Sequence, residues 1–93
     1  MQAKETELKV SGQTNPNKLG GAIQKFLDEE GKIVLTAMGD RAVSQAVKGI
    51  IVAQSYLAST AKSLNLRMGF LNRYDERLEK DVTVIAFYIT HAS

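Results

Sequence analysis

The sequence predicts an α+β domain in two layers, with two helices on one face of a four-stranded mixed sheet. Apolar residues alternate or run continuously through four short segments, and they recur at three- and four-residue spacing in two longer ones. In chain order these segments read strand, helix, strand, helix, strand, strand. Two successive strand-helix units bring the first strands into parallel register, and a charged hairpin joins the last two. Both helices then cover the same face.

The first strand and the first helix are separated by a segment dense in turn-forming residues. Polar and apolar residues alternate over residues 6–11, which indicates a strand with one buried face. Asn15 followed by Pro16 is typical of a helix N-cap with proline at the first helical position, and Gly31 is placed to end that helix. The pair Gly20-Gly21 lies inside it and costs about 1 kcal/mol per glycine relative to alanine, so we expect a packing reason for the pair.

A buried strand passes directly into a long helix in the middle of the chain. Residues 33–38 are apolar or β-branched and are bounded by Gly31 and Gly39, which indicates a central strand. Asp40 offers an N-cap side chain for the helix that follows. The apolar stripe of this helix includes Val43, Ala46, Val47, Ile50 and Leu57.

The last two strands differ in the number of faces that are apolar. Residues 63–71 alternate between apolar and polar or small side chains, residues 72–81 are crowded with charges, and residues 82–90 are apolar on both faces. Two helices cannot cover that much apolar surface, so we expect a homodimer or higher homo-oligomer that buries it. The alternative is a central strand whose two faces are covered by its own chain.

Composition limits the class of protein. The chain has 93 residues, which we assign to a single domain over residues 1–93, and it contains no cysteine. Its N-terminal residues lack the apolar run of a signal peptide, and no stretch is long enough to cross a bilayer, so we expect a cytoplasmic protein without membrane contact. The formal net charge of +2 permits an anionic partner but does not by itself argue for nucleic acid.

Catalytic and metal-binding patterns are missing from the sequence. His91 is the only histidine, so it has no second histidine or cysteine with which to share a metal, and a surface role is favoured. Asp40 is explained as an N-cap and needs no role as a general base. No phosphate-loop pattern occurs. We therefore expect no enzyme, no metal and no cofactor.

A series of short motifs runs through nearly the whole chain: Leu8-Lys9-Val10-Ser11, Asn15-Pro16, Gly20-Gly21-Ala22-Ile23, Ala37-Met38-Gly39, the run from Ala42 to Lys48, Ala53 and Tyr56. These motifs resemble the stage V sporulation protein S family, most strongly between Ala37 and Tyr56. Within this stretch, the passage from strand to helix is also similar to that of the related Alba proteins, with one extra residue, Asp40. The resemblance implies an Alba-like β-α-β-α-β-β fold, a dimer, binding of DNA or RNA, and a role in sporulation or developmental regulation.

The resemblance also implies where nucleic acid is met: the loop after the first strand, the start of the second helix and the last hairpin. The matching positions carry Asn17, Lys18, Arg41, Arg73, Arg77 and Lys80. Lys18 adds a cation to the free backbone N–H groups of a helix N-terminus, and both it and Arg41 favour phosphate. Alba loops commonly have a lysine pair where this chain has Lys18 alone, and a basic residue where it has Met38.

Two alternatives remain open at this stage. Three basic and four acidic residues lie between Arg73 and Asp81, so the hairpin is equally well read as a solvated charged loop. The second alternative, motivated by the near-neutral charge, is a protein-interaction regulator that keeps the fold and recognises another protein instead of nucleic acid.

Overall fold

A computed structural model describes residues 6–92. Its elements follow the predicted order: β1 (Glu7–Val10), α1 (Pro16–Glu30), β2 (Lys32–Ala37), α2 (Asp40–Ala58), β3 (Ser63–Asp75) and β4 (Lys80–Ala92). Residues 1–5 and 93, which the single-domain and signal-peptide expectations include, lie outside the described residues. Neither helix within the described range is long and apolar enough to cross a membrane.

The sheet is mixed and has the strand order β1-β2-β4-β3. β1 is parallel to β2, whereas β4 is antiparallel to both of its neighbours, β2 and β3. Both helices pack on one face of this sheet and form the hydrophobic core with it, so the predicted two-layer fold is confirmed. The largest fully buried side chains are Phe87, Ile23, Leu27, Ile33, Leu35, Leu57 and Ile89.

The ends of the two helices are formed in different ways. Asn15 caps α1 as predicted, and Gly31 ends that helix with a left-handed φ of 79°. The prediction that Asp40 caps α2 is wrong, because Asp40 is the first helical residue and Gly39 is the N-cap. Gly39 has a φ of 90°, a conformation that favours glycine, and within residues 6–92 no side chain makes a capping hydrogen bond at this end.

The two helices approach each other closely at glycines. A Cβ atom at Gly20 would lie 2.7 Å from Cβ of Val52 and 3.1 Å from the backbone oxygen of Gly49. A Cβ atom at Gly49 would lie 2.7 Å from Cγ of Leu19. The expected packing reason therefore holds for Gly20 but not for Gly21, where an added Cβ would meet no heavy atom of the described chain within 4 Å.

The hairpin formed by β3 and β4 is longer than predicted. It pairs from Ser63 with Ala92 to Asp75 with Lys80, so most of the charged segment belongs to the strands and only residues 76–79 form the turn. β2 ends at Ala37, opposite Ile85. The part of the hairpin beyond that pair therefore projects past the end of β2.

Exposed apolar surface lies elsewhere than on β4. Because β4 is central, Val84 and Ala86 on its helix-free face are only 8% and 0% exposed, as in the alternative of a central strand covered by its own chain. Most of the large exposed apolar side chains lie instead on α2 and on the edge strand β3. We call five of them the apolar edge: Val47, Ile51, Leu66, Met68 and Phe70.

Candidate nucleic-acid interface

The topology brings three separate parts of the chain to one end of the molecule. Because β1 and β2 are parallel, their carboxyl ends share one side of the sheet, and α1 and α2 both begin there. β3 runs in the same direction, since it and β2 are each antiparallel to β4, so the hairpin turn projects at that side too. We call this side the hairpin end. It carries all the residues predicted to meet nucleic acid: Asn17, Lys18, Arg41, Arg73, Arg77 and Lys80.

The first turn of α1 differs from the expectation in one respect. The Asn15 carboxamide oxygen accepts hydrogen bonds from the backbone N–H of Asn17 at 2.8 Å and of Lys18 at 3.2 Å. The backbone oxygen of Asn15 accepts from the N–H of Leu19, and Pro16 has no N–H. The backbone donors expected to be free beside Lys18 are therefore already used. What remains for an anion is the charge of the exposed Lys18 side chain itself.

The start of α2 is joined to the loop between β1 and α1. Gln45 donates a hydrogen bond from Nε2 to the backbone oxygen of Thr14 at 2.8 Å. Arg41 packs over Gly12, where an added Cβ would lie 3.0 Å from Cβ of Arg41. These contacts hold two of the three predicted regions together as one surface. The sequence analysis did not single out Gln45, because its link to the loop depends on tertiary structure.

Arg73 is engaged by a carboxylate that the sequence analysis did not single out. Its Nη2 lies 2.8 Å from Oε1 of Glu7, and its Nε donates to Oε2 of the same carboxylate at 3.4 Å. The hydroxyl of Thr36 also donates to Oε2 of Glu7, at 3.3 Å. Arg73 on β3 thus reaches across the helix-free face of the sheet to β1.

This ion pair shifts both ionisation equilibria. The hydrogen bond from Arg73, aided by its positive charge, lowers the pKa of Glu7 below its ordinary value, although partial burial opposes the shift. The same hydrogen bond raises the pKa of Arg73. Both shifts favour the charged forms, so the pair is ionised at neutral pH and the charge of Arg73 is largely compensated within the chain.

The hairpin turn is held by hydrogen bonds and carries both acidic and basic side chains. The Asp75 carboxylate accepts hydrogen bonds from the backbone N–H of Arg77 at 2.8 Å and of Leu78 at 3.1 Å, which fixes the start of the turn. Arg77 and Lys80 are exposed beside Glu76 and Glu79. The acidic residues lower the positive potential here, so this hairpin is a weaker attractor of phosphate than a purely basic one.

A groove lies between the projecting hairpin and the ends of β1 and β2. Its volume is about 430 Å³. Arg73 and Arg77 line it together with Lys9, Met38 and Val84. The groove therefore adds Lys9 to the cations of the hairpin end, a residue that the sequence analysis did not name as part of a site.

His91 lies away from the hairpin end. It is partly buried, with Nε2 at 3.1 Å from the backbone oxygen of Leu27 and 4.0 Å from Oδ1 of Asp28. These are contacts with the end of α1, and they give the side chain a structural role.

Comparison with known proteins supports the resemblance in sequence and fold. Alba from Thermoplasma volcanium has a similar structure, with a TM-score of 0.53 and 16% sequence identity over 95% of this chain and 100% of that one. At that identity the similarity shows an Alba-like fold. Residues 6–92 match the protein family described as "Stage V sporulation protein S (SpoVS)". The family match supports a small regulator related to sporulation. Because the match spans nearly the whole chain, the protein belongs to the Stage V sporulation protein S family.

Proposed function

We propose that this protein is a nucleic-acid-binding regulator that acts as a dimer and contacts phosphates of DNA or RNA with little readout of bases. The observation that carries the proposal is the convergence of residues from three distant segments on the hairpin end. Lys18, Arg41, Arg77 and Lys80 are exposed there. Lysine and arginine are the main donors to phosphate oxygens, and contacts of this kind carry no sequence information by themselves.

The charges at the hairpin end favour moderate affinity. Arg73 is paired with Glu7, and acidic residues flank Arg77 and Lys80. Asp40 occupies the first turn of α2, where a carboxylate competes with phosphate for the positive end of the helix dipole. One copy therefore offers few uncompensated cations, and a dimer doubles their number along one surface.

The apolar edge supports the dimer. Phe70 is 77% exposed and Met68 is 66% exposed, and both point to the same side of the edge strand β3. Val47 and Ile51 lie one turn apart on α2, which contacts β3. Exposed apolar side chains grouped on a helix and on the strand it contacts are typical of protein interfaces. A second copy of the chain would remove the apolar edge from water on both molecules at once.

The test of binding is a titration of the full chain with duplex DNA and with RNA at salt concentrations between about 50 and 200 mM. We expect log affinity to fall with log salt by about 0.9 for each phosphate that is neutralised on duplex DNA. Lys18→Gln should weaken binding and reduce this slope. Lys62→Gln is the matched control, because it removes the same charge from the turn before β3, at the opposite end of the sheet. Absence of binding at low salt would contradict the proposal.

The second candidate function is recognition of another protein through the same fold. The compensated charge of Arg73 and the mixed charges of the hairpin turn favour it. Co-purification from cells with and without nuclease treatment separates the two candidates. A protein partner that survives nuclease supports protein recognition, whereas co-purified material that disappears with nuclease supports nucleic-acid binding.

A further inference from the structure

The Glu7 carboxylate occupies the position on Arg73 that a phosphate would take. Two nitrogens of the guanidinium face its two oxygens, at 2.8 Å for Nη2 to Oε1 and 3.4 Å for Nε to Oε2. Phosphate and carboxylate oxygens use this same paired geometry with arginine. The two anions therefore exclude each other at that edge of the guanidinium.

The contact between Glu7 and Arg73 lies where an external anion can readily replace the Glu7 carboxylate. The side chains of Arg73 and Glu7 are 42% and 26% exposed, and the pair lies on the helix-free face of the sheet, beside the groove of the hairpin end. Exposed ion pairs are weak because water screens them. Thr36 donates a hydrogen bond to Glu7, so the carboxylate keeps a polar partner when Arg73 leaves it.

We propose that Glu7 is an internal competitor for phosphate at Arg73 and that it holds the affinity of the protein for nucleic acid below the value its cations would otherwise give. This inference rests on the proposed nucleic-acid-binding function. It assigns a role to β1, which the sequence analysis treated as structural. Binding of a phosphate at Arg73 requires the Glu7 contact to open, so the wild type binds nucleic acid mainly through its other cations.

The test measures binding of duplex DNA and single-stranded RNA to the full chain with Glu7→Gln, Arg73→Gln and both substitutions together. Glu7→Gln keeps the size of the side chain and removes its charge. We expect it to bind about two- to fivefold more tightly than the wild type, because one more phosphate is neutralised. For the same reason its salt dependence should be steeper, by about 0.9 on duplex DNA and about 0.7 on single-stranded RNA. In the Arg73→Gln background the same substitution should leave affinity and slope unchanged.

The matched control is Glu29→Gln. Glu29 is exposed near the end of α1, at the side of the sheet opposite the hairpin end, so it reports the effect of total charge alone. Thermal unfolding monitored by circular dichroism checks that every variant is folded.

The outcomes separate this inference from the proposed function. Tighter binding by Glu7→Gln that disappears without Arg73 supports internal competition. Weaker binding by Glu7→Gln overturns it and makes Glu7 a residue that positions Arg73 for phosphate. An equal gain in both backgrounds, or an equal gain from Glu29→Gln, overturns it in favour of a general charge effect. If the wild type and all folded variants fail to bind, the proposed function itself is wrong.

Discussion

A methyl group added at Gly20 has no room where α1 crosses α2, because it would overlap Val52 and press on the backbone of Gly49. We therefore expect Gly20→Ala to lower the free energy of unfolding by about 1–3 kcal/mol, the usual cost of overpacking. Gly21→Ala should instead raise it by about 0.5–1 kcal/mol, because the added methyl has space and alanine is the better helix former. Urea denaturation of both variants measures the difference.

The adjacent positions control for each other, since both substitutions add one methyl group within the same turn of the same helix. Gly49→Ala, which would overlap Leu19 from the other helix, should behave like Gly20→Ala. Equal effects at Gly20 and Gly21 would mean that helix propensity, and not the approach of the two helices, determines the cost.

Structural features that depend only on neighbouring residues could be predicted from the sequence. Asn15 and Pro16 mark the start of α1 because both the cap and the fixed proline φ act within one turn. The choice of Asp40 as a cap failed because two adjacent residues suited the start of α2, and only the φ of 90° at Gly39 decides between them. Gly20 and Gly21 were equivalent in sequence. They differ only in which of them faces the second helix.

At the scale of the elements, the order of strands and helices was predictable but the length of the hairpin was not. Alternation reveals a strand only where one face is buried, and β3 runs past the end of β2 with charged and polar side chains from Asn72 onward. The contact between Glu7 on β1 and Arg73 on β3 had no signal in the sequence either. The two residues are 66 positions apart, and their strands are the two edges of the sheet, with β2 and β4 between them.

The tie between β1 and β3 predicts a pH dependence of stability. The pKa of Glu7 is lower in the folded chain than its ordinary value of 4.5, so the ion pair contributes stability above that pH and loses it as the pH falls through the lower, folded-state value. Glu7→Gln should therefore be slightly less stable than the wild type at about pH 7, and this difference should shrink progressively as the pH falls below 4.5. Urea denaturation at a series of pH values measures the change.

Glu29→Gln serves as the comparison, because it removes a carboxylate that lies at the other side of the sheet. Its difference from the wild type should be smaller at neutral pH. A stability difference for Glu7→Gln that persists unchanged in acid would show that the side chain stabilises the fold through packing or neutral hydrogen bonds, and not through its charge.

At the scale of the whole molecule, topology was enough to predict that the residues of the candidate site lie together. It was not enough to predict which of their charges are compensated by neighbouring residues. Two parallel strands and a returning hairpin are enough to bring Lys18, Arg41 and Arg77 to one end. Which cations are compensated depends on tertiary contacts, as Arg73 shows. The sequence analysis likewise expected uncovered apolar surface on β4. Strand order within the sheet decides which apolar strand is covered, and β4 is central while β3 is at the edge.

The proposed dimer and the proposed binding surface predict a linked result. Phe70→Glu puts a charge on the most exposed residue of the apolar edge, so it should dissociate the dimer, as measured by sedimentation at several protein concentrations. The monomer should still bind nucleic acid but with about half the salt dependence, because each copy supplies only its own cations. Tyr56→Glu is the control, since Tyr56 is also exposed on α2 but lies about 180° around the helix from Val47.

Two results would contradict different parts of this linked prediction. If Phe70→Glu and the wild type have the same mass in solution, the apolar edge is not the surface that joins two copies. If Phe70→Glu is monomeric but keeps the full salt dependence, the loss of one copy's cations has cost no phosphate contacts. The two hairpin ends of a dimer then do not bind the same nucleic acid. Only a loss of both properties, with Tyr56→Glu unchanged, is explained by a dimer that aligns the cations of its two copies along one polyanion.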